Sequence, residues 1–455
     1  MKKKASKKAL AQEQGPFTAS ELENPTFRGF VYGMLGDHAE AVEVYQEAIR
    51  LNPDDANAHC GLGEAYLSLS RPAEAVDALK EALRLDPKLA HAYNSLGLAF
   101  FTLGQHEEAV DALKKALRLE PDDLFTLCGL GSALLELERP DEALEAFQKA
   151  IRLDPSVPLL LYGLAEAYRM LERHDEALKA YRKSLQLDPD NAPAYYGLGE
   201  SLFQLGRYAE AVEAYQETVR RRPDDVEALH SLGFAYARLE RYTDAIKAFR
   251  KVIRLCPDDV DAHRILGATY LELGRHAEAV KALKEVVRLC PDDGNAYFYL
   301  GDAYAQMGRY AEALEAFKET ARLTPDDADA HFGIGRVYWE LERYAEAAEA
   351  FRETVRLDPE NTAALFGLGD SCRMLEWYEE AAEVFKKAIT VNPDAEVFHA
   401  SLGEAYIMLK RYDEAARAFE EAIRIRPNSA DSYYGLAHAH LLSERYAEAV
   451  DAYQE

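Results

Sequence analysis

The sequence has few cysteines, five among 455 residues, and none of them are grouped at short spacings. An odd, scattered set excludes a complete disulfide framework. Cys256 and Cys290 stand at equivalent places of the repeating pattern described below. Neighbouring helical units lie about 10 Å apart, which is beyond the reach of a disulfide. We therefore expect reduced, structural thiols.

Long apolar runs are also missing. Nowhere do 18 consecutive apolar residues suggest a membrane helix, and no apolar segment follows the N-terminal lysines as it would in a signal peptide. We expect no membrane partner, and these absences together with the free cysteines predict a cytoplasmic location.

Positive charge is scarce, with 53 Lys and Arg against 80 Asp and Glu and a net charge of −27. The first 21 residues are the exception, because five lysines and two glutamates give them a charge of +3 and leave −30 for the remainder. A body this acidic repels phosphate backbones, so no nucleic acid partner is expected. We interpret residues 1–21 as a basic, disordered tail, with contact to an anionic surface as the alternative. The charged residues of the tail are Lys2, Lys3, Lys4, Lys7, Lys8, Glu13 and Glu21.

Proline, by contrast, is strictly ordered. Twelve prolines follow one another at intervals of 34 residues with no insertion, which indicates one structural unit copied in tandem. A row of like residues does not supply the unlike groups that a catalytic site needs, so the period argues against an enzyme. The prolines are Pro53, Pro87, Pro121, Pro155, Pro189, Pro223, Pro257, Pro291, Pro325, Pro359, Pro393 and Pro427.

Each period predicts a pair of helices, A and B. In residues 192–225, apolar residues recur every three or four positions in two stretches, which is helical spacing. Gly206 between them suits a left-handed helix cap, and Pro223 ends the second helix. The two aspartates that follow Pro223 suit the N-terminal end of the next helix. The unit is therefore a helical hairpin.

Small residues indicate how the hairpins pack. Counting places from residue 22, the eighth place is Gly in eleven of thirteen units and the twentieth is always Ala. A Gly inside a helix costs about 0.5–1 kcal/mol relative to Ala, so we expect close approach of helix A to helix B and to the next hairpin. No hairpin buries its apolar face alone, so stability must come from stacking between neighbours.

These residues resemble a known family. Leu62, Gly63, Tyr66, Ala75 and Pro87 show the pattern of the tetratricopeptide repeat (TPR) within one unit, and the pattern recurs over about 95% of the chain. The resemblance implies an all-α fold, a right-handed α-solenoid or superhelix of helix-turn-helix hairpins. It also implies that the A helices line a concave groove that holds a peptide or helix of a partner protein.

The expected organisation is the tail at 1–21 and a solenoid at 22–455, whose last repeat is incomplete. The first repeat departs from the pattern at Pro25 and Arg28, while Cys372 and His440 replace the usual Tyr of helix A. The repeats are expected to start at residues 22, 56, 90, 124, 158, 192, 226, 260, 294, 328, 362, 396 and 430.

No motif with catalytic or metal-binding chemistry emerges. Strings such as Gly61-Leu62-Gly63 lie inside a predicted helix, follow no strand and lack the Lys of a phosphate loop. Four histidines share the fourth place of helix A, one per hairpin, and we interpret them as packing residues. We expect no enzyme activity, no cofactor and no metal. The histidines are His59, His263, His331 and His399.

The resemblance implies that the second, fifth, sixth and ninth places of helix A face the groove, and we predict the binding surface there. The fifth place is often aromatic, the sixth is mostly Gly or Ser, and the ninth is often acidic. Rings beside bare backbone suit apolar side chains, and carboxylates beside rings suit Lys or Arg. Those four places contain eleven acidic residues and only two basic ones, Arg264 and Arg336. The candidate site residues are Tyr162, Glu166, Tyr196, Glu200, His230, Phe298, Asp302, Phe332, Arg336, Phe366, Asp370 and Glu404.

The expected function is a non-enzymatic scaffold that binds a protein or peptide with basic and apolar side chains. Packing of the rings against adjacent A helices, with the acidity merely reflecting composition, remains the alternative interpretation of the surface. A second hypothesis is the targeting arm of a larger enzyme, because the chain ends at Glu455 inside a predicted helix B. A third is self-association through this uncapped last repeat; the oligomeric state stays open.

Overall fold

The computed structural model describes residues 23–455, so the predicted tail at 1–21 lies outside the described residues. Within that range the chain forms 26 α-helices. Contacts among the helices divide the chain into two compact units, Met1–Leu239 and Glu240–Glu455, which we describe separately. None of the helices in the described part is long and apolar enough to cross a membrane.

Unit 1 contains thirteen helices that alternate between A (odd numbers) and B (even numbers). They are α1 (Pro25–Met34), α2 (His38–Leu51), α3 (Ala56–Ser68), α4 (Pro72–Leu85), α5 (Ala90–Thr102), α6 (His106–Leu119), α7 (Leu124–Glu136), α8 (Pro140–Leu153), α9 (Pro158–Met170), α10 (His174–Leu187), α11 (Ala192–Gln204), α12 (Tyr208–Arg221) and α13 (Val226–Arg238).

Unit 2 continues the same alternation. Its helices are α14 (Tyr242–Leu255), α15 (Val260–Glu272), α16 (His276–Leu289), α17 (Gly294–Gln306), α18 (Tyr310–Leu323), α19 (Ala328–Glu340), α20 (Tyr344–Leu357), α21 (Thr362–Met374), α22 (Tyr378–Val391), α23 (Glu396–Met408), α24 (Tyr412–Ile425), α25 (Ala430–Leu442) and α26 (Tyr446–Gln454). Tandem helical hairpins and the absence of strands from the described residues confirm the predicted all-α solenoid class.

The A helices begin where the sequence predicts. Asp225 caps α13 by accepting a hydrogen bond from the backbone N–H of Ala228 at 3.0 Å, and Asp259 does the same for Ala262 at 2.8 Å. At these two helices, the acidic side chain behind the proline thus satisfies a backbone N–H that has no partner inside the helix.

The turn between helices A and B contains a left-handed residue. Gly206 adopts this conformation with a φ of 72°, as predicted, yet Glu138 (φ 54°) and Glu342 (φ 57°) adopt it at the same place of their hairpins. The sequence-based expectation that this cap belongs to glycine is therefore too narrow. A non-glycine residue in this region costs about 1–2 kcal/mol, which the packing of the two helices must offset.

One side chain of each helix B joins two hairpins. Phe147, at the twenty-fourth place, lies where a Cβ on Gly131 or Gly163 would come within 2.6 or 2.4 Å of its ring. Gly131 holds the eighth place of the same hairpin, and Gly163 holds the sixth place of the next. In unit 2, Phe351 lies between Gly335 and Gly367 in the same way, and a Cβ on either glycine would come within 2.7 Å of its ring. We call the residue at the twenty-fourth place the interlocking side chain.

This interlock explains why glycine occurs inside so many A helices. The ring needs the volume that a Cβ would occupy, so the helical cost of Gly is offset by burial of a large aromatic side chain. Phe147 is 1% exposed and Phe351 is 2% exposed. The predicted close approach of helices is confirmed, and the approach is that of a ring to a backbone.

The divergent first hairpin is compensated locally. Pro25 is the first residue of α1, where its missing N–H costs little. Arg28 is only 8% exposed, and its guanidinium lies 2.7 Å from the Glu47 carboxylate on α2. An ion pair thus replaces the apolar contact that Leu makes at this place in other hairpins.

Candidate functional site

The predicted site residues lie on consecutive A helices within each unit. In unit 1 they lie on α9, α11 and α13, and in unit 2 on α17, α19, α21 and α23. Within each set, neighbouring A helices contact one another directly. Each unit therefore brings its own group of candidate residues onto one surface, which we call the A-helix face. The unit 1 group is Tyr162, Glu166, Tyr196, Glu200 and His230; the unit 2 group is Phe298, Asp302, Phe332, Arg336, Phe366, Asp370 and Glu404.

The fifth-place rings pack mainly inside their own hairpin. Each approaches the interlocking ring of the following helix B, and most are half-buried. Phe366 is more exposed, at 37%, and it alone of these rings also touches a ring on the next A helix, Phe398, at 6.5 Å between centroids. Each ring thus offers only part of its surface to a partner. The centroid distances are 6.2 Å for Tyr162–Tyr181, 5.9 Å for Tyr196–Tyr215, 5.6 Å for Phe298–Phe317, 5.7 Å for Phe332–Phe351 and 6.4 Å for Phe366–Phe385.

Gly197 and Gly333, at the sixth place, do not form the open pockets that the sequence suggested. A Cβ on Gly197 would fall 2.3 Å from the Tyr181 hydroxyl oxygen, and one on Gly333 would fall 2.8 Å from the Phe317 ring. The interlocking side chain of the preceding hairpin already fills this space. The interpretation of bare backbone available to a partner is wrong at these positions.

The two candidate glutamates of unit 1 have internal partners. Glu200 accepts hydrogen bonds from the hydroxyls of Tyr215, at 2.6 Å, and Ser231, at 3.0 Å. Glu166 accepts one from the Tyr181 hydroxyl and pairs with Arg169 at 2.7 Å. Both carboxylates therefore satisfy buried tyrosines.

Burial, followed by the nearby carboxylate, raises the pKa of Tyr181 and of Tyr215 well above the usual value for tyrosine. Both hydroxyls therefore stay protonated and act as hydrogen-bond donors. Tyr162, beside Glu166 on the same helix, has its pKa raised to about 12 by the same two causes.

The acidic residues of unit 2 stand opposite phenylalanines. The interlocking residues there are Phe317, Phe385 and Phe419, which have no hydroxyl to donate. Asp302 makes no hydrogen bond or ion pair with any other described residue. Asp370 is 9% exposed and pairs with Arg373 at 2.6 Å.

The outer members of the unit 2 group are more exposed. The Glu404 side chain is 56% exposed, with its carboxylate 3.9 Å from the Arg373 guanidinium. Arg336 is exposed and pairs with none of the described residues. The face therefore presents Asp302 and Glu404 as available carboxylates, with Arg336 as one available cation between them.

An apolar cavity on the A-helix face of unit 1 was missed by the sequence reasoning. It measures about 490 Å³ and lies between α5, α6 and α7. Its floor includes Leu113 and Gly129, and Phe125 stands at its rim. The missed signal is the combination of Leu at the interlocking place with Gly at the next sixth place.

The fourth-place histidines are packing residues in the structure. Their Nε2 atoms lie within hydrogen-bonding distance, 2.9–3.1 Å, of the carbonyl oxygens of the prolines six residues earlier. No group of His, Cys, Asp or Glu among residues 23–455 has the arrangement of a metal site. All five cysteines are free.

Interlocked tandem hairpins define an α-solenoid of the kind that serves as a protein-interaction scaffold. The chain belongs to the tetratricopeptide repeat family, and residues 2–231 match the family model described as the Cilia and flagella-associated protein 70 C-terminal domain. Further TPR models match residues 232–294, 266–328, 298–362, 332–396, 376–419 and 403–443. None of the curated proteins compared with the sequence matches it.

Solved structures also resemble the chain. The Cut9–Hcn1 hetero-tetramer of the APC/C is 16% identical over 90% of this chain and 95% of that one, with a TM-score of 0.39. MamA is 30% identical over 35% of this chain and 94% of that one, with a TM-score of 0.34. YrrB, described as a TPR protein with an unusual peptide-binding site, is 27% identical over 42% and 98%, with a TM-score of 0.38. These scores are below 0.5, so the superpositions support no functional argument.

Proposed function

We propose that the protein is a non-enzymatic scaffold that binds a peptide segment with basic and apolar side chains on its A-helix face. The observation that carries the proposal is the Asp302 carboxylate on α17, which pairs with none of residues 23–455 and lies on the same helix as the half-buried Phe298 ring. A carboxylate with no internal role beside a ring suits a Lys or Arg of a partner through an ion pair and a cation–π contact.

Charge on the unit 2 face favours a basic partner with a specific pattern. Asp302 and Glu404 attract cations, whereas Arg336 repels them from α19. A matching segment therefore carries basic residues opposite α17 and α23, and an acidic or uncharged residue opposite α19. Complementary charges of this kind determine the register in which a partner segment binds and which partner is selected, and they contribute less to affinity.

Binding rather than catalysis is favoured by how the reactive side chains are used. The fourth-place histidines bond to proline carbonyl oxygens. Burial raises the pKa of the Cys372 thiol to about 12 and raises that of Cys128 as well, which keeps both thiols protonated and unreactive. A cytoplasmic location and the division into repeats from residue 22 onward stay predictions.

The test is partner capture by a variant that removes the available groups: Asp302→Asn, Glu404→Gln and Phe366→Ala together. Partners would be recovered from the native host by affinity purification, identified by mass spectrometry, and then titrated as purified proteins. We expect at least a roughly tenfold loss of affinity, because one anchor is worth about 1–2 kcal/mol.

A matched control removes exposed carboxylates from B helices, by Glu315→Gln and Glu349→Gln. We expect this control to bind as the unmodified chain does, and circular dichroism should show the same helix content in all three proteins. Undiminished capture by the triple variant would refute the proposed face.

A further inference from the structure

The interlocking side chain and the sixth place of the next hairpin compensate for each other in size. Nine aromatic interlocking residues are followed by another hairpin, and in eight of these cases the next sixth place is Gly or Ser. Three interlocking residues are leucines: Leu283 is followed by the large Tyr299, and Leu79 by Ser95, a residue type that also follows two of the aromatic ones. Leu113 is the exception, because Gly129 follows it.

Two small residues at Leu113 and Gly129 leave space unfilled. A Cβ on Gly129 would lie 3.6 Å from the nearest Leu113 atoms, an ordinary van der Waals distance, whereas the equivalent contact at Gly163 is 2.4 Å. The cavity of about 490 Å³ occupies this region, with Leu113 and Ala116, each 2% exposed, in its lining. Cavities of about 300–1,000 Å³ are the size that binds small organic groups.

The cavity lies among positions that the A-helix face presents to a partner. Its walls include Asn94 and Leu98 of α5 and Cys128 of α7, which hold fifth and ninth places. Phe125 at the rim is 77% exposed, the highest value among the large apolar side chains of the described residues. An exposed ring beside an apolar cavity is the kind of place where binding energy concentrates in protein interfaces.

The charges at the rim of the cavity indicate which type of residue would stand next to the bound group in a partner peptide. Glu120 and Asp123 belong to the lining, which contains no Lys or Arg. Asp123 caps α7 through the backbone N–H of Thr126 at 2.8 Å, whereas the Glu120 carboxylate bonds to no described side chain. His91, also in the lining, is occupied by Glu64 at 2.6 Å. Glu120 is therefore the acceptor available to an incoming cation.

We propose that this cavity is an anchor site for an aromatic side chain of a partner peptide, with a Lys or Arg beside it in sequence that pairs with Glu120. The aromatic side chain takes the volume that the interlocking ring fills in other hairpins. The inference rests on the proposed function, since it assigns a specific contact on the same type of surface, but it concerns unit 1 and shares no residue with the unit 2 group.

The test uses the full chain and a fluorescently labelled synthetic peptide, Gly-Ser-Lys-Phe-Lys-Ser-Gly, in an anisotropy titration at low salt. Leu113→Phe fills the cavity with the ring that other hairpins have. We expect this variant to bind the peptide at least roughly tenfold more weakly. Its thermal midpoint should not fall, since the added ring occupies empty space.

Leu113→Met is the matched control, because it keeps the side-chain volume and should leave the affinity within about twofold. Replacing Phe of the peptide by Ala should abolish binding. Glu120→Gln should weaken binding of the lysine peptide about threefold or more and leave a Gln-for-Lys peptide unaffected.

Three results would overturn the inference: no binding of the peptide to the unmodified chain, equal affinity of Leu113→Phe, or displacement of the peptide by phenethylamine at the same affinity, which would indicate a small-molecule site. The triple variant Asp302→Asn, Glu404→Gln and Phe366→Ala should bind the labelled peptide with the affinity of the unmodified chain. Failure at the cavity is therefore separable from failure of the proposed function, which is measured with the native partner on unit 2.

Discussion

Hairpins 158–225 of unit 1 and 294–361 of unit 2 have the same backbone plan but use the ninth place of helix A differently. In the first region the interlocking residues are tyrosines, and Glu166 and Glu200 accept their hydroxyl hydrogen bonds. In the second they are phenylalanines, and Asp302 has no hydrogen-bond or ion-pair partner among the described residues. In these two regions, whether the acidic residue receives a hydroxyl hydrogen bond from its own hairpin therefore follows from the side chain 15 residues further along the chain.

The largest expected effect concerns a feature that both regions share. Gly197→Ala and Gly333→Ala each place a Cβ against an interlocking ring, at 2.3 and 2.8 Å from its nearest atom. We expect each to lower the free energy of unfolding by about 1–3 kcal/mol, after the gain in helix propensity is counted. Thermal unfolding followed by far-UV circular dichroism would measure this.

Gly129→Ala is the control, and we expect it to raise the free energy of unfolding instead of lowering it. Its Cβ meets Leu113 at an ordinary distance of 3.6 Å, so only the helix-propensity gain of about 0.5–1 kcal/mol remains. If all three alanines shifted the midpoint alike, steric contact with the interlocking ring would not be what selects glycine at this place.

A smaller effect separates the acidic residues of the two regions. Glu200→Gln weakens two hydrogen bonds that a charged acceptor strengthens, so we expect a loss of about 1–2 kcal/mol. Asp302→Asn removes no internal bond and should stay within about 0.5 kcal/mol. The comparison of their unfolding midpoints, at one pH and salt concentration, checks both values.

Partner binding should show the reverse order. Asp302→Asn is expected to weaken partner capture, and Glu200→Gln to leave it nearly unchanged. A destabilised Asp302→Asn chain, or equal losses of binding for both variants, would break the distinction between a structural and an available carboxylate.

The smallest expected effect comes from replacing one pair of residues in the second region by the pair found in the first. Phe317→Tyr combined with Asp302→Glu recreates the pairing of Tyr181 with Glu166, and we expect a gain of about 0.5–1 kcal/mol. The same change should reduce partner capture because the carboxylate gains an internal donor. A double-mutant cycle measured by thermal unfolding would give the coupling energy. A coupling near zero would mean that the hydroxyl does not reach the carboxylate.

The sequence alone predicted the helical hairpins, their order and the reason for caps such as Asp225. It also predicted that glycine at the eighth place marks close packing, which Gly131 and Phe147 confirm. Each of these features recurs at a fixed place in most of the 34-residue repeats, so a single repeat is enough to reveal it.

The structure was needed wherever side chains at two different places of the repeat act together, within one hairpin or across two neighbouring hairpins. Gly163 is explained by Phe147 of the preceding hairpin, and Glu200 by Tyr215 of its own. Such pairs are hidden when each place of the repeat is considered separately. The cavity beside Leu113 was missed for this reason. Glu138 adopts a left-handed conformation that no glycine marks in the sequence. Which acidic residues bind a partner stays a prediction.

The interlock also limits how whole repeats can be lost or duplicated in a gene. Deleting residues 328–361 would bring Phe317 before Gly367, a ring before a glycine, as in the existing hairpins. Deleting residues 294–327 would bring Leu283 before Gly333 and open a void like the one beside Leu113. Blocks of equal length are therefore not interchangeable: the compatible recombination points are those where the last helix of one block and the first helix of the next fit in size.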